Sequence, residues 1–362
     1  MKHMKHMKLA IRSLAQPGIG QGPCATSILV AAAMVGLAAP VTAATLTWDA
    51  GGDDNFWATV PNWSGDLTAP VDGDNVQCNG GPKNQAINAD HTADLNGLSV
   101  NLPTSTVNYY NGSEGGFRIE DNVGGATLTC NIFHVQQGGR PAYEVDVPII
   151  ANTEIRTRYR LGGVKFFKTI TAPKVDLGRG DRVDLFGDVN ATDAFNIVRN
   201  DDATNAYLSP HPTTLVVPTL TTPLVFMDDS SSRFYADGMV DADTITVQNA
   251  AQYYAQRDGS MGDAATNVTL TGGGILNIQA AQTTLPASIS VGPFSMLAGD
   301  VTGATYGGGG SVSFASDAMF APSAGPSPTR ADLGGDAILY AGVLTINKIL
   351  TVGDNEVEAI YK

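Results

Sequence analysis

From Ala93 onward the chain reads as a succession of short runs in which apolar and polar residues alternate: ADLNGLSVNL, GFRIED, ATLTCNIFHVQQ, YEVDVPIIA, TEIRTRYRLGG, VKFFKTITAPKVDL, RVDLFGDV and FNIVRN. Alternation with a period of two marks strands that bury one face. Each run is bounded by Gly, Asn, Asp or Pro, the residues that turn a chain. Only Ala242–Gln256 carries a weak helical spacing. The regular exchange of strands and helices that builds a parallel α/β sheet is missing. The pattern predicts an all-β protein.

Two architectures fit such runs. One is a right-handed parallel β-helix, a solenoid whose stacked coils hide strand edges everywhere except at the two ends. The other is a β-sandwich or jelly roll, built from hairpins. The Asn-Gly pairs at Asn79, Asn96 and Asn111, with Asp237-Gly238 and Asp258-Gly259, suit hairpin turns. Against hairpins stand the uneven spacing of the runs and long connections such as Ala203–Thr214. Irregular loops on regular coils describe a solenoid better, and the solenoid is the expected fold. From Ser260 the chain becomes a Gly-punctuated β-rich tail without a strict repeat.

A solenoid needs a covered first edge. The stretch before the alternating runs, residues 44–80, holds all three tryptophans, Trp48, Trp57 and Trp63, among Gly, Asn and Asp. Indoles that close the open end of a β-stack bury much apolar area in a small module. The expected organisation is therefore a signal segment at 1–43, a Trp-rich cap at 44–80, a β-solenoid body at 81–320, and a Pro/Ser loop with a C-terminal β segment at 321–362.

Charge narrows the partners. The formal charge is −14, and only 15% of residues are charged. Residues 1–43 hold Lys2, Lys5, Lys8 and Arg12 and no acid, so the remainder is more acidic still. Such a surface repels nucleic-acid phosphates and anionic headgroups, which excludes nucleic acid as a partner. The basic start, the apolar run Ile28–Ala39 and the small residues before Ala44 form an export signal. The apolar run is shorter than the ~20 residues that span a bilayer. Cleavage is expected after Ala43 or Ala44, giving a secreted or cell-surface protein without stable membrane insertion.

Export also bears on the cysteines. With Cys24 removed, Cys78 and Cys130 remain, and an oxidising compartment permits a disulfide between them. Neither has the neighbours of a zinc site. The acidic pairs and triplets, such as Asp72/Asp74 and Asp241/Asp243, match no EF-hand or nonapeptide spacing, and turn formation is their default use. Calcium is the one cofactor such oxygen-rich loops admit.

Two groups are candidates for binding. Trp48, Trp57 and Trp63, with Asp49, Asp54 and Asn62, have the composition of a platform for sugar rings as well as of a cap. Arg156, Arg158 and Arg160 alternate along one strand face, the one basic stripe in an acidic chain. They suit either an acidic polysaccharide or ion pairs with Glu144 and Asp146, should the two runs be neighbours. No nucleophile-elbow, zinc-protease or paired-Cys motif occurs, and no catalytic residue is assigned.

The order Thr47-Trp48-Asp49, Gly51-Gly52, Asn55-Phe56-Trp57, Asn62-Trp63, Pro70 and Asp72-Gly73-Asp74-Asn75-Val76 resembles a segment of large exported bacterial β-solenoid proteins. Those carry autotransporter-associated β-strand repeats, or are the PEP-CTERM-sorted relatives of such proteins. Leu95-Asn96-Gly97-Leu98-Ser99-Val100 resembles their first coil, and Ala321-Pro322-Ser323 to Ser327-Pro328 a Pro-rich loop of theirs. The resemblance implies a structural or adhesive role at the cell surface, with no active site. A polysaccharide-binding or polysaccharide-degrading β-helix protein is the alternative from another class.

Overall fold

The computed structural model describes residues 44–299, except 66, 79–90, 110–115, 136–142, 159–162, 179, 199–203, 281 and 285. Beyond these it describes the strand backbones Ser311–Phe314, Met319–Pro322, Arg330–Leu333, Ile338–Leu339 and Ile349–Val352. Residues 1–43, expected to be a signal segment, lie outside the described residues, as does 323–329 of the Pro/Ser loop.

The fold is a β-solenoid. After Thr45–Thr47 and Asn75–Cys78, which both belong to a 14-stranded sheet, strands alternate between a 12-stranded sheet and the 14-stranded one. Pairing within both sheets is parallel throughout the described strands. Each coil thus lays one strand on each sheet, with a repeat of roughly 20 residues where no loop is inserted.

Register explains the alternation. Val76, Val107, Phe133, Ile155, Val175, Phe195, Val225, Ile245, Val268 and Ile289 are successive partners in the larger sheet, and every one is buried. Leu128, Ile149, Ile170, Val189, Leu220 and Val240 form a second inward row in the same sheet. A third, from Ile119 through Val145, Phe166, Leu185 and Leu208 to Ile278, runs up the smaller sheet. Between the first two rows the period of two fails. In Ile149–Arg158, residues 152–154 all face outward before Ile155 turns in again, and the register shifts there. The same shift recurs between Ala172 and Lys174 and between Asn190 and Phe195. Such irregularities bend a strand, so the long strands carry two walls of the core and the smaller sheet the third. Truncating one residue of an inward row to Ala costs ~2–5 kcal/mol.

Two local expectations are corrected. Ala242–Gln256 is not helical: Met239–Gln248 and Gln252–Ala255 are strands, joined through Asn249 and Ala250 at φ 52° and 62°. The inward pairs Val240/Ala242 and Ile245/Val247 outweigh the weak helical spacing. Asn96-Gly97, suited to a hairpin, instead turns the chain from the smaller sheet to the larger, with φ of 51° and 75°. Where turns stack, space is tight. A Cβ on Gly187 would lie 2.2 Å from the carbonyl carbon of Lys168 in the turn of the preceding coil.

The tryptophan segment covers the first edge of both sheets. Residues 62–64 run antiparallel to 47–49, at the end of Thr45–Thr47: Ser64 N–H donates to the Thr47 carbonyl at 2.8 Å, and Asp49 N–H to that of Asn62 at 3.0 Å. On the smaller sheet, Trp57 N–H donates to the Asp94 carbonyl, and Asp94 N–H to that of Asn55, both at 2.8 Å. Backbone groups that would otherwise template association are thereby satisfied.

Candidate functional site

The three tryptophans serve the cap. Trp48, Trp57 and Trp63 are 3%, 3% and 0% exposed. Trp63 meets Trp48 and Trp57 edge-on, at 5.2 and 4.8 Å between ring centroids, and Trp48 meets Phe117 at 6.1 Å. Trp63 Nε1–H donates to the Trp57 carbonyl at 2.7 Å. A sugar platform needs open ring faces, and these rings have none. Asp54 is occupied locally, accepting from Phe56 N–H, Thr59 Oγ1 and Asn62 Nδ2. Those bonds hold its carboxyl below the usual range, the Phe56 N–H most of all.

Cys78 and Cys130 do not pair. Both are free, buried thiols. Cys78 lies opposite Tyr109 and Cys130 opposite Leu102, so one strand separates theirs and they sit on different walls. Two strand spacings are ~9–10 Å, beyond the ~7 Å limit between Cα atoms of a disulfide. Burial pushes the Cys130 thiol up to about 12 and that of Cys78 higher still.

Arg156 and Arg158 do share an outward face, while Arg160 lies outside the described residues. Their partners differ from the anticipated pair. Glu144 and Asp146 belong to the smaller sheet, where they meet Arg118, Lys165 and Lys168 at 2.8–3.7 Å. Arg156 instead meets Glu154 on its own strand at 3.5 Å, and Arg158 meets Asp176 on the next at 3.3 Å. Lys174 bridges Glu154 and Asp176 at 3.7 and 3.2 Å. His134, register partner of Arg156, is in the same outward row yet only 6% exposed. Burial, then the charges of Arg156 and Arg158, lower its pKa to about 3. The imidazole is neutral at ordinary pH.

Sequence reading missed two outward aromatic groups. Tyr207, Tyr235 and Tyr254 are register partners in the smaller sheet. Their rings stack at 4.6 Å and 5° in both pairs, with the Arg182 guanidinium 4.5 Å from the Tyr207 ring centre. Each was visible as a lone polar-face aromatic, but only the register aligns them. Phe167 and Phe186, in successive turns between the sheets, stack at 5.3 Å. The His211 ring stands edge-on to both, at 5.8 and 6.2 Å. Beside them is a hollow of about 500 Å³ whose lining includes Asp146, Lys168, Asp188 and Thr214.

Of the acidic clusters, Asp49 accepts Gly51 N–H, Asp74 accepts Val71 N–H and Asp229 accepts Ser231 N–H and Oγ–H within their turns, while Asp72 accepts Thr104 N–H and Oγ1–H from a distant part of the chain. Among the described residues, no three His, Cys, Asp or Glu side chains are grouped to hold a metal ion. No helix among them is long and apolar enough to cross a membrane. No protein-family model, curated protein or solved structure matches the chain.

Proposed function

We propose that this chain is an exported structural or adhesive protein of the cell surface or extracellular space, acting through its stack of coils rather than an active site. The observation that carries this reading is how the outward rows spend their side chains. Charges close on one another from coil to coil, as in Arg118–Glu144–Lys165, and the tyrosines stack face to face. Groups so committed reinforce the long axis of a rod and leave little for a reactant. Export is supported by the basic start and the Ile28–Ala39 apolar run. The reading places the protein beside the autotransporter-associated repeat and PEP-CTERM-sorted surface proteins that its tryptophan segment resembles.

The test is fractionation of expressing cells, protease shaving of the intact cells, and N-terminal sequencing of the exported species. The expected product is surface-exposed or released and starts at Ala44 or Thr45. A cytosolic product that keeps Met1–Ala43 would sink the proposal. Polysaccharide binding, the second reading, draws support from the hollow beside His211.

A further inference from the structure

Four of the turns that return the chain from the smaller sheet to the larger are short, 147–148, 167–169, 186–188 and 237–238, while 256–266 and 279–287 are long. The turn after Leu208 is a ten-residue excursion, 209–218. It closes on itself, His211 N–H donating to the Val216 carbonyl at 3.0 Å and Leu215 N–H to that of His211 at 2.9 Å. Leu215 stands at φ 57° and is 73% exposed. A bulky residue in the left-handed region is costly, and here no burial of its side chain offsets that. Strain of this kind persists where the surroundings enforce it, often at ligand clamps.

The loop holds His211 over the stacked rings of Phe167 and Phe186. Backbone N–H groups of Thr213 and Thr214 both donate to His211 Nδ1, at 3.3 Å each. An Nδ1 that accepts leaves the proton on Nε2, so the ring presents a donor there. Asp188 accepts Thr219 N–H through Oδ1 at 2.9 Å, leaving Oδ2 as an acceptor. The adjoining hollow of about 500 Å³ falls within the range of small-ligand sites. It combines an apolar aromatic wall with a few separated donors and acceptors, the mixture that a sugar ring with its CH face and hydroxyl rim requires.

We propose that this hollow is a carbohydrate subsite taking one or two neutral hexose units. The ring lies against the Phe167/Phe186 wall, with hydroxyls bonded to His211 Nε2–H and Asp188 Oδ2. Neutrality follows from charge. Lys168 also lines the site but is paired with Asp146 at 3.5 Å, so Asp188 leaves the lining net negative, and the chain carries −14 overall; a uronate is disfavoured. The proposal goes beyond the structural role argued above and does not depend on it.

The test titrates cellotriose, maltotriose, chitotriose and trigalacturonate into the full chain, read by calorimetry and by saturation-transfer NMR. At least one neutral trisaccharide should bind in the millimolar range, and trigalacturonate at least tenfold more weakly. His211→Ala should weaken binding at least tenfold. Thr214→Trp, a change at an exposed loop residue that fills the hollow, should do the same while leaving the melting temperature unchanged. Binding that survives both substitutions, or preference for trigalacturonate, overturns the proposal. So does the absence of neutral-sugar binding, and that result leaves the surface role standing, since fractionation and shaving decide it separately.

Discussion

The capped end and the repeated body use aromatic side chains in opposite ways. In the cap the backbone is irregular, and three indoles meet edge-on at 68–88°, buried to 3% exposure or less. In the body, three tyrosines lie almost parallel at 4.6 Å, half-buried on an outward face. Parallel in-register strands ~4.8 Å apart dictate that second geometry, because equivalent residues are translated copies of one another. The cap has no such copy and closes by individual fit. A cap residue therefore has no equivalent, whereas each residue of a ladder has neighbours that share its load.

The sharpest break of that contrast is Trp63→Ala. Trp63 is fully buried, packs on both other indoles and ties down the Trp57 carbonyl. Truncation should cost ~3–5 kcal/mol in urea unfolding. It should also loosen residues 62–64 from Thr47 and expose a sheet edge, so oligomers should appear by size-exclusion chromatography. Deleting Thr45–Gln77 should give aggregates. A deletion variant that stays monomeric with unchanged melting would show that the body needs no cover.

Next comes the acid response of His134, an outward ladder residue buried like a core one. Its unfolded pKa is near 6.5, and its native value is about 3. As pH falls below 6.5 the unfolded chain takes up the proton first, so this contribution to stability is present above 6.5 and is lost on the way down to 3. By pH 4.5 the loss should be ~2 kcal/mol, allowing for partial solvation. His134→Gln cannot titrate. The stability gap between wild type and variant, from urea midpoints at pH 7 and 4.5, should shrink by that amount. A gap that is flat with pH would place His134 in contact with water.

Strands, turns and the solenoid were legible because inward rows repeat an alternation that any single coil displays, as Ile155/Thr157 and Phe195/Ile197 do. The cap was legible because its tryptophans are concentrated in one short stretch. Partnerships between coils were not. Glu144 is close to Arg156 in sequence, yet the intervening turn sends them to different sheets. Arg158 finds Asp176 one coil on, at a separation set by the register. Whether Cys78 and Cys130 pair was left open by the sequence for the same reason, since only register places the two free thiols on separate walls. The hollow at 209–218 needs three turns aligned, and its sequence shows only a long loop.

Within the body, Tyr235→Ala should have a moderate effect. Tyr235 is the middle ring, stacked on Tyr207 and on Tyr254. Each aromatic pair contributes ~0.5–1.5 kcal/mol beyond area burial, and the half-exposed position limits the rest, so the expected cost is ~1–2 kcal/mol. Tyr254→Ala removes one described stacking contact and should cost about half as much. Equal costs for the two would mean that the stack contributes nothing as a stack.

The smallest effect should be that of Arg158→Gln. Arg158 meets Asp176 at 3.3 Å with its side chain 36% exposed, and Lys174 meets the same carboxylate oxygen at 3.2 Å. Asp176 itself is buried, with its side chain 5% exposed, but removing the half-exposed guanidinium leaves it paired with Lys174, so the expected loss stays within the ~0–1 kcal/mol of a partly exposed ion pair. Gln keeps most of the aliphatic stem that covers the strand. The unfolding midpoint should fall by the equivalent of less than ~1 kcal/mol, and the difference should shrink as salt is raised. Sugar binding should be unaffected, since Arg158 is not among the residues lining the hollow beside His211. Loss of affinity for an acidic polysaccharide in this variant, with stability intact, would instead make the arginine stripe a binding face and leave ladder sharing as an account of the core alone.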